Sequence, residues 1–121
     1  MEDLDSFIHK TFLVTGSEGL IGKDLCKRLS NKGAYVIACD IQKKKDSDDS
    51  AKKFFKCDLT KNDGLNDFNN YIKNCKRRIN GFVHCAYPRP KSWGKLFEQI
   101  SLDEVNLHLN YQLGSAIILS K

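Results

Sequence analysis

The feature that most constrains the fold of this chain is an apolar run followed by three glycines and then by a helical pattern. The β-branched run Thr11–Thr15 leads into Gly16, Gly19 and Gly22, and leucines then recur at helical spacing as far as Lys32. A strand that turns through glycines into a helix presents free backbone N–H groups at the positive end of the helix dipole. The segment therefore predicts a strand–turn–helix unit whose turn binds an anionic group.

Each of the three glycines has a role in a turn that binds the pyrophosphate of a dinucleotide. Gly16 allows the tight turn, Gly19 lets the pyrophosphate approach the backbone, and Gly22 lets the helix pack closely on the sheet. A P-loop is disfavoured because the glycine spacing is too wide and Asp24 replaces the hydroxyl that would bind magnesium. Incidental glycines in an ordinary turn are the remaining alternative. We expect the whole turn to contact the cofactor: Gly16, Ser17, Glu18, Gly19, Leu20, Ile21 and Gly22.

Asp40 follows the second apolar run, Ala34–Cys39, and supports the dinucleotide interpretation. An acidic side chain at the end of this strand accepts hydrogen bonds from the adenosine ribose hydroxyls. It also repels a 2′-phosphate, so Asp40 favours NAD over NADP, although the basic run Lys43–Lys45 weakens that preference. We therefore predict NAD as the cofactor.

Apolar and amphipathic segments alternate along the chain in the order β-α-β-β-α-β-α. Phe54–Cys57 and Gly81–Ala86 are the third and fourth predicted strands, and a helix with Thr60 near its N-cap lies between them. Nearly continuous apolar strands indicate a parallel sheet covered on both faces. Right-handed crossovers then give strand order 3-2-1-4 in a three-layer, doubly wound, Rossmann-like α/β fold. We expect residues 1–121 to form a single domain of this kind.

The last helix begins with a predicted capping box, Ser101 with Glu104. Its apolar residues recur on one stripe, which we expect to lie mostly in the core. That stripe is Leu102, Val105, Leu109, Leu113 and Ile117.

Composition and charge exclude several classes of protein. Hydrophobic residues make up 40% and charged residues 29%, and no apolar run approaches the ~18 residues of a membrane helix, so we expect a globular protein without a membrane partner. The net charge of +5 would suit nucleic acid, but the basic clusters at 43–45 and 76–78 carry no interleaved aromatic residues, so we predict no nucleic-acid partner. The N-terminal residues 1–10 resemble neither a signal nor a transit peptide. The five cysteines form no C-x-x-C pair, which predicts reduced thiols in a cytoplasmic protein and no metal site.

These motifs together resemble the short-chain dehydrogenase/reductase family of NAD(P)-binding oxidoreductases over residues 10–121. TGSEGLIG is closest to the glycine pattern of the extended branch, and C-D-L-T at 57–60 is similar to the family's D-[VL]-[ST] stretch. Val83–Tyr87 stands where the family has N-N-A-G and keeps only Ala86 of that motif. The segment from Ala86 to Gly114 resembles the subset associated with flagellin and surface-glycan modification.

The resemblance implies roles for further residues. Asp58 borders the adenine, Leu59 beside it is a further cofactor contact, and Asn110, in an N-x-x-x-G helix, helps to hold a proton-relay water. The resemblance also implies a nucleotide-activated sugar as substrate and a homo-oligomer in which the last helix pairs between subunits. Further cofactor contacts are implied at Ile41, Cys85, Ala86 and Tyr87. The implied subunit interface is Leu107, Tyr111, Gly114 and Ile118.

The family's catalytic serine and helical Tyr-x-x-x-Lys have no counterpart in the 121 residues, which implies a chain that binds cofactor but is inactive alone. Residues 87–91 match Y-x-x-x-K in letters only, because their prolines disfavour a helix, and we expect a loop near the substrate there. The fourth strand would lack its usual neighbour, which predicts self-association through that strand and residues 102–121. A non-catalytic dinucleotide-binding, regulatory or scaffolding module and a basic nucleic-acid-binding protein are the alternatives.

Overall fold

Strands and helices alternate in the order that the sequence predicts. The computed structural model describes residues 6–44 and 50–121. Its strands are β1 (Thr11–Thr15), β2 (Tyr35–Asp40), β3 (Lys53–Lys56) and β4 (Gly81–His84). Its helices are α1 (Leu20–Asn31), α2 (Asn62–Asn74), α3 (Leu102–Leu109) and α4 (Ser115–Leu119), with a 3-10 turn at Phe97–Gln99 and a π-helical turn at Asn110–Gly114.

The strands pair in a parallel sheet in the order β3-β2-β1-β4, so the predicted strand order is confirmed. Thr15 pairs in register with Cys39 on one side and His84 on the other, and Cys39 pairs with Phe55. Because the strands are parallel, their carboxyl ends lie at one edge of the sheet. After β3 the chain passes to the other side of β1 and forms β4 there, so the direction of strand addition reverses between the neighbouring strands β1 and β4. Ligands of such sheets bind at this switch point.

Alternate residues of the central strands bury their side chains on opposite faces of the sheet. On one face, Val14 and Val36 pack with Cys26 and Leu29 of α1. On the other face the buried cluster is Leu13, Ile37, Cys39, Phe68 and Leu119, from β1, β2, α2 and α4. Because both faces are covered by helices, the predicted three-layer α/β fold is confirmed.

The helix that follows β3 starts one residue later than its sequence suggests. Thr60 was expected at the N-cap, but Lys61 holds that place and makes no side-chain cap. Thr60 instead donates its N–H and its hydroxyl to Asp58 Oδ1, at 3.0 and 2.6 Å. This local turn competes with helical capping, as short polar side chains commonly do.

The prediction that the apolar stripe of the last helix is core is wrong. Leu102 is 74% exposed and Leu109 is 56% exposed, whereas Ser115 and Leu119 are buried. The predicted capping box of Ser101 and Glu104 is present. Leu102 and Leu109 face outward because α3 turns its polar side toward the preceding loop, where Glu104 pairs with Lys95 and His108 contacts Ser92. Beyond α3, the π-helical turn shifts the helical phase, so that Ile117 of the stripe is exposed while Ser115 and Leu119 are buried.

The cysteines, all of which the structure describes, form no disulfide bond, and the helices are short. All five cysteines are free thiols, and Cys26 and Cys39 are buried. Within the described residues, no helix is both long enough and apolar enough to cross a membrane. The basic run predicted to weaken NAD preference extends to Lys45, which lies outside the described residues, as does the rest of 45–49.

Candidate functional site

Two of the three glycines in the turn after β1 are required by the fold, and the third is not. Gly16 has a φ of +65°, and a Cβ there would lie 2.5 Å from the backbone nitrogen of Ala86. A Cβ on Gly22 would lie 2.1 Å from the carbonyl oxygen of Gly16. Gly19 is different, because its φ is −76° and its nearest neighbour would be 3.3 Å away. A Cβ on Gly19 would therefore make one tight contact, with the Gly16 carbonyl oxygen, and without a side chain Gly19 leaves the backbone at the start of α1 uncovered for a ligand.

The N-terminus of α1 is open to solvent and lacks a side-chain cap. Gly19 occupies the N-cap, no side chain caps the helix, and its first turn contains no acidic residue. Leu20 and Ile21, the first residues of the helix, are 96% and 76% exposed. The first N–H groups of a helix have no intrahelical acceptor, so this end of α1 can accept an anion.

Asp40 ties the glycine turn to the end of β2. Its Oδ2 accepts from the N–H of Glu18 at 2.8 Å, and its Oδ1 accepts from the N–H of Gln42 at 2.9 Å. The backbone N–H of Ser17 reaches the carbonyl of Cys39 at 3.2 Å. Each carboxylate oxygen has a further lone pair, so Asp40 retains the capacity to accept from a ligand hydroxyl. Ile41 beside it is exposed.

Asp58 and Leu59 follow β3 and lead to a groove between α2 and the last helix. Asp58 is held by its two hydrogen bonds from Thr60, and Leu59 packs at the margin of the core. The groove has a volume of about 290 Å³, and Leu59, Asn110 and Gly114 are among its lining residues. The structure thus brings Leu59 and Asn110 to the same depression.

Two thiols meet between the ends of β2 and β3. The Cys57 N–H donates to the Asp40 carbonyl at 2.9 Å, which sets Cys57 beside Cys39. The hydrogen bond between the two thiols, followed by burial, raises the pKa of Cys39. The same hydrogen bond lowers the pKa of Cys57. Cys57 is therefore the member of the pair that ionises first.

The end of β4 lies against β1 through contacts that sequence reasoning missed. The Cys85 and Ala86 N–H groups donate to the carbonyl and hydroxyl oxygens of Thr15, at 3.1 and 3.3 Å. The Thr15 hydroxyl lies 2.7 Å from His84 Nδ1, and the Ser115 hydroxyl lies 3.5 Å from Nε2. Burial lowers the pKa of His84. No sequence pattern signals these partners, because they come from distant parts of the chain.

The loop after β4 is not helical, as predicted for the Tyr87–Lys91 segment. It is fastened to the last helix by Gln112, whose side-chain amide donates to the Pro88 carbonyl, and by a 3.1 Å hydrogen bond between Ser92 and His108. The predicted cofactor contacts at 16–22, 40–41, 58–59 and 85–87 all follow strands whose carboxyl ends share one edge of the sheet. Among the described residues no group of His, Cys, Asp or Glu is arranged to hold a metal ion.

A glycine turn at the switch point of a three-layer parallel sheet defines a Rossmann-type α/β protein. The sequence model of the NAD dependent epimerase/dehydratase family matches residues 12–116. The chain therefore belongs to that family, and the NAD prediction is confirmed at the level of the family.

Individual relatives agree with this assignment. The post-translational flagellin modification protein A of Campylobacter coli is 33% identical over 124 residues, which cover 93% of this chain and 48% of that protein. A short chain dehydrogenase from Leptospira borgpetersenii with bound NAD+ has a TM-score of 0.76 at 22% identity, over 96% of this chain and 45% of its own. A short chain dehydrogenase family protein from Francisella tularensis has a TM-score of 0.70 at 30% identity, over 92% and 43%. The predicted short-chain dehydrogenase resemblance is confirmed, and the chain spans about half the length of these relatives.

Proposed function

We propose that residues 1–121 form one NAD(H)-binding domain of a short-chain dehydrogenase-type oxidoreductase. The observation that carries the proposal is the uncapped N-terminus of α1 behind the open Gly19, with Asp40 at the end of the neighbouring strand. The pyrophosphate would bind the first-turn N–H groups of α1, where the helix dipole favours negative charge. The ribose hydroxyls would donate to Asp40.

The rest of the cofactor would extend along the carboxyl edge of the sheet. Ile41 and Leu59 supply apolar surface on the adenine side, and Asp58, which precedes Leu59, is held there by its hydrogen bonds from Thr60. At the other end, the backbone of Cys85–Tyr87 borders the nicotinamide. When bound, NAD supplies a hydride acceptor. The residues of this chain bind and orient it, and Asn110 would hold a water that passes a proton.

We further propose that the substrate is a nucleotide-activated sugar. The support is the flagellin-modification relative, whose name places it in protein modification. The 121 residues contain no Tyr-x-x-x-Lys on a helix, because the single match lies in the loop after β4. We therefore expect the 121-residue polypeptide to bind NADH without dehydrogenase turnover. A non-catalytic dinucleotide-binding module is the second candidate, and the replacement of N-N-A-G by H-C-A-Y favours it.

A cofactor titration tests the proposal. NADH binding is followed by its fluorescence, and NADPH is titrated in parallel. We expect NADH to bind more tightly, because the Asp40 carboxylate accepts from the ribose and repels a 2′-phosphate. Asp40→Ala should narrow the difference between the NADH and NADPH affinities, but it also removes the acceptor of the Glu18 and Gln42 N–H groups. Asp40→Asn is the matched control, since it removes the charge and keeps an acceptor oxygen. Equal affinities in the unmutated chain would contradict the preference for NAD.

We also propose a cytoplasmic protein that associates with a second copy of itself. The five free thiols support a reducing compartment. Leu102, Val105, Leu109, Leu113 and Ile117 expose apolar side chains along the last helix. Pairing that surface between two copies would remove it from water.

A further inference from the structure

The loop after β4 carries an aromatic corner, formed by Tyr87 and Trp93, with the exposed Arg89 guanidinium beside both rings. The rings of Tyr87 and Trp93 stand perpendicular, with their centroids 5.3 Å apart. The Arg89 guanidinium carbon lies 5.9 Å from the Tyr87 centroid and 5.6 Å from the Trp93 centroid. Both rings remain about half exposed. A cation held against two aromatic rings loses less side-chain freedom when it binds a ligand.

This corner is anchored by hydrogen bonds and closely follows β4, whose carboxyl end belongs to the proposed cofactor site. Ser92 is buried and bonded to His108, and Gln112 holds the Pro88 carbonyl. Tyr87 directly follows Ala86, whose backbone contacts the glycine turn at Gly16. The corner is therefore attached at one end to the cofactor turn and at the other to the helix that carries Asn110.

Arg89 has no counter-ion within the described part of the chain. No carboxylate there lies within ion-pair distance of its guanidinium, whereas Lys95 in the same loop pairs with Glu104. A guanidinium that is positioned by aromatic rings and lacks a carboxylate presents a planar set of donors to carboxylate or phosphate. The exposed ring faces beside it suit the C–H faces of a sugar.

We propose that Tyr87, Arg89 and Trp93 bind the anionic, sugar-containing part of the substrate, and that Arg89 determines its specificity. The proposal rests on the NAD(H)-binding function proposed above and adds a substrate subsite to it. The anionic group is a phosphate of an activated sugar or a carboxylate on the sugar itself. Both are planar or tetrahedral oxyanions that the guanidinium fork binds through two hydrogen bonds.

Trp93 is the only tryptophan of the chain, so fluorescence excited selectively at tryptophan reports on this corner. The chain with saturating NAD+ is titrated with UDP-glucose, with glucuronate and with glucose, and calorimetry is run in parallel. We expect binding of UDP-glucose if Arg89 takes the phosphate, or of glucuronate if it takes the carboxylate, and no binding of neutral glucose. Arg89→Ala should lower the affinity for the ligand that binds by about tenfold or more. Arg89→Lys should not regain that affinity, because lysine lacks the planar set of donors of a guanidinium.

Lys91→Ala is the matched control, since Lys91 is an exposed cation of the same loop outside the aromatic corner. It should change affinity by less than about twofold. Equal binding by the chain and its Arg89→Ala variant, or equal binding of glucose, would overturn the proposal. Failure of both anionic ligands to bind a chain that binds NADH would overturn this proposal alone. Failure of NADH itself to bind would overturn the proposed function and this inference with it.

Discussion

Replacing Gly22 with alanine should damage folding, and the structure indicates by how much. The new Cβ would lie 2.1 Å from the Gly16 oxygen, 2.8 Å from the Gly16 carbonyl carbon and 3.0 Å from the Ser17 Cα. All three are backbone atoms of the tight turn, so no side chain can move aside. Overpacking of this kind costs about 1–3 kcal/mol or more, and alanine recovers up to ~1 kcal/mol of helix propensity. The distance of 2.1 Å puts the clash at the upper end, which leaves a net loss of roughly 2 kcal/mol.

Gly19→Ala is the matched substitution three residues earlier, and it should spare the fold. Its Cβ would meet only the Gly16 oxygen at 3.3 Å, and the backbone there is in an extended conformation that any residue adopts. Loss of glycine at the N-cap costs less than about 1 kcal/mol. The same Cβ would stand where the pyrophosphate approaches, so NADH affinity should fall by about tenfold or more.

Thermal unfolding followed by circular dichroism, with an NADH titration of each variant, separates the two effects. For a chain of this size the loss in Gly22→Ala corresponds to a Tm lower by roughly 6–12 °C. Gly19→Ala should melt closer to the unmutated chain and bind NADH poorly. A Gly22→Ala variant that melts normally would refute the packing argument. A Gly19→Ala variant that binds NADH normally would refute the placement of the pyrophosphate.

Three further outcomes follow from particular residues. Burial lowers the pKa of His84, so as the pH falls the unfolded state takes up the His84 proton before the folded state does, and the contribution of neutral His84 to the free energy of unfolding is complete above pH 6.5 and is lost below it. Urea unfolding from pH 5 to 8 should show a smaller loss of stability at low pH in His84→Asn than in the unmutated chain, and superimposable profiles would contradict this. The Cys57 thiol, whose pKa is lowered, should react with iodoacetamide faster than Cys85, whose pKa burial raises, and peptide mass spectrometry that finds equal rates would refute the thiol pairing. Sedimentation at micromolar concentration should show self-association that Val83→Lys reduces, because Val83 is exposed on β4, an edge strand of the described sheet. A monomer at that concentration would contradict association through β4.

Local patterns were enough to predict the strands, their order and the glycine turn. Apolar runs such as Thr11–Thr15 mark buried parallel strands, and crossover handedness leaves few arrangements for them. The spacing of Gly16, Gly19 and Gly22 carries the turn because backbone geometry demands glycine at its first and last positions. Asp40 could be found for the same reason, since its place at a strand end is fixed by the fold.

Contacts between distant segments of the chain could not be predicted from the periodicity of apolar residues. The orientation of Ile117, the last residue of the stripe, was mispredicted because the π-helical turn at Asn110–Gly114 changes the helical phase before it, and apolar periodicity does not indicate such a turn. The polar contacts that orient α3, including Ser92 with His108, join a loop to a helix. The aromatic corner around Arg89 likewise depends on how that loop folds back.

An NMR titration of the ¹⁵N-labelled chain with NAD+ would locate the cofactor residue by residue. We expect the largest amide shift changes at Gly19–Gly22, Asp40–Ile41, Asp58–Leu59 and Cys85–Tyr87, which follow the carboxyl ends of the strands. Amides at the opposite edge of the sheet, such as those near Tyr35 and Gly81, should stay in place. Shift changes concentrated at that opposite edge, or none at millimolar NAD+, would contradict the assignment of this chain as an NAD-binding domain.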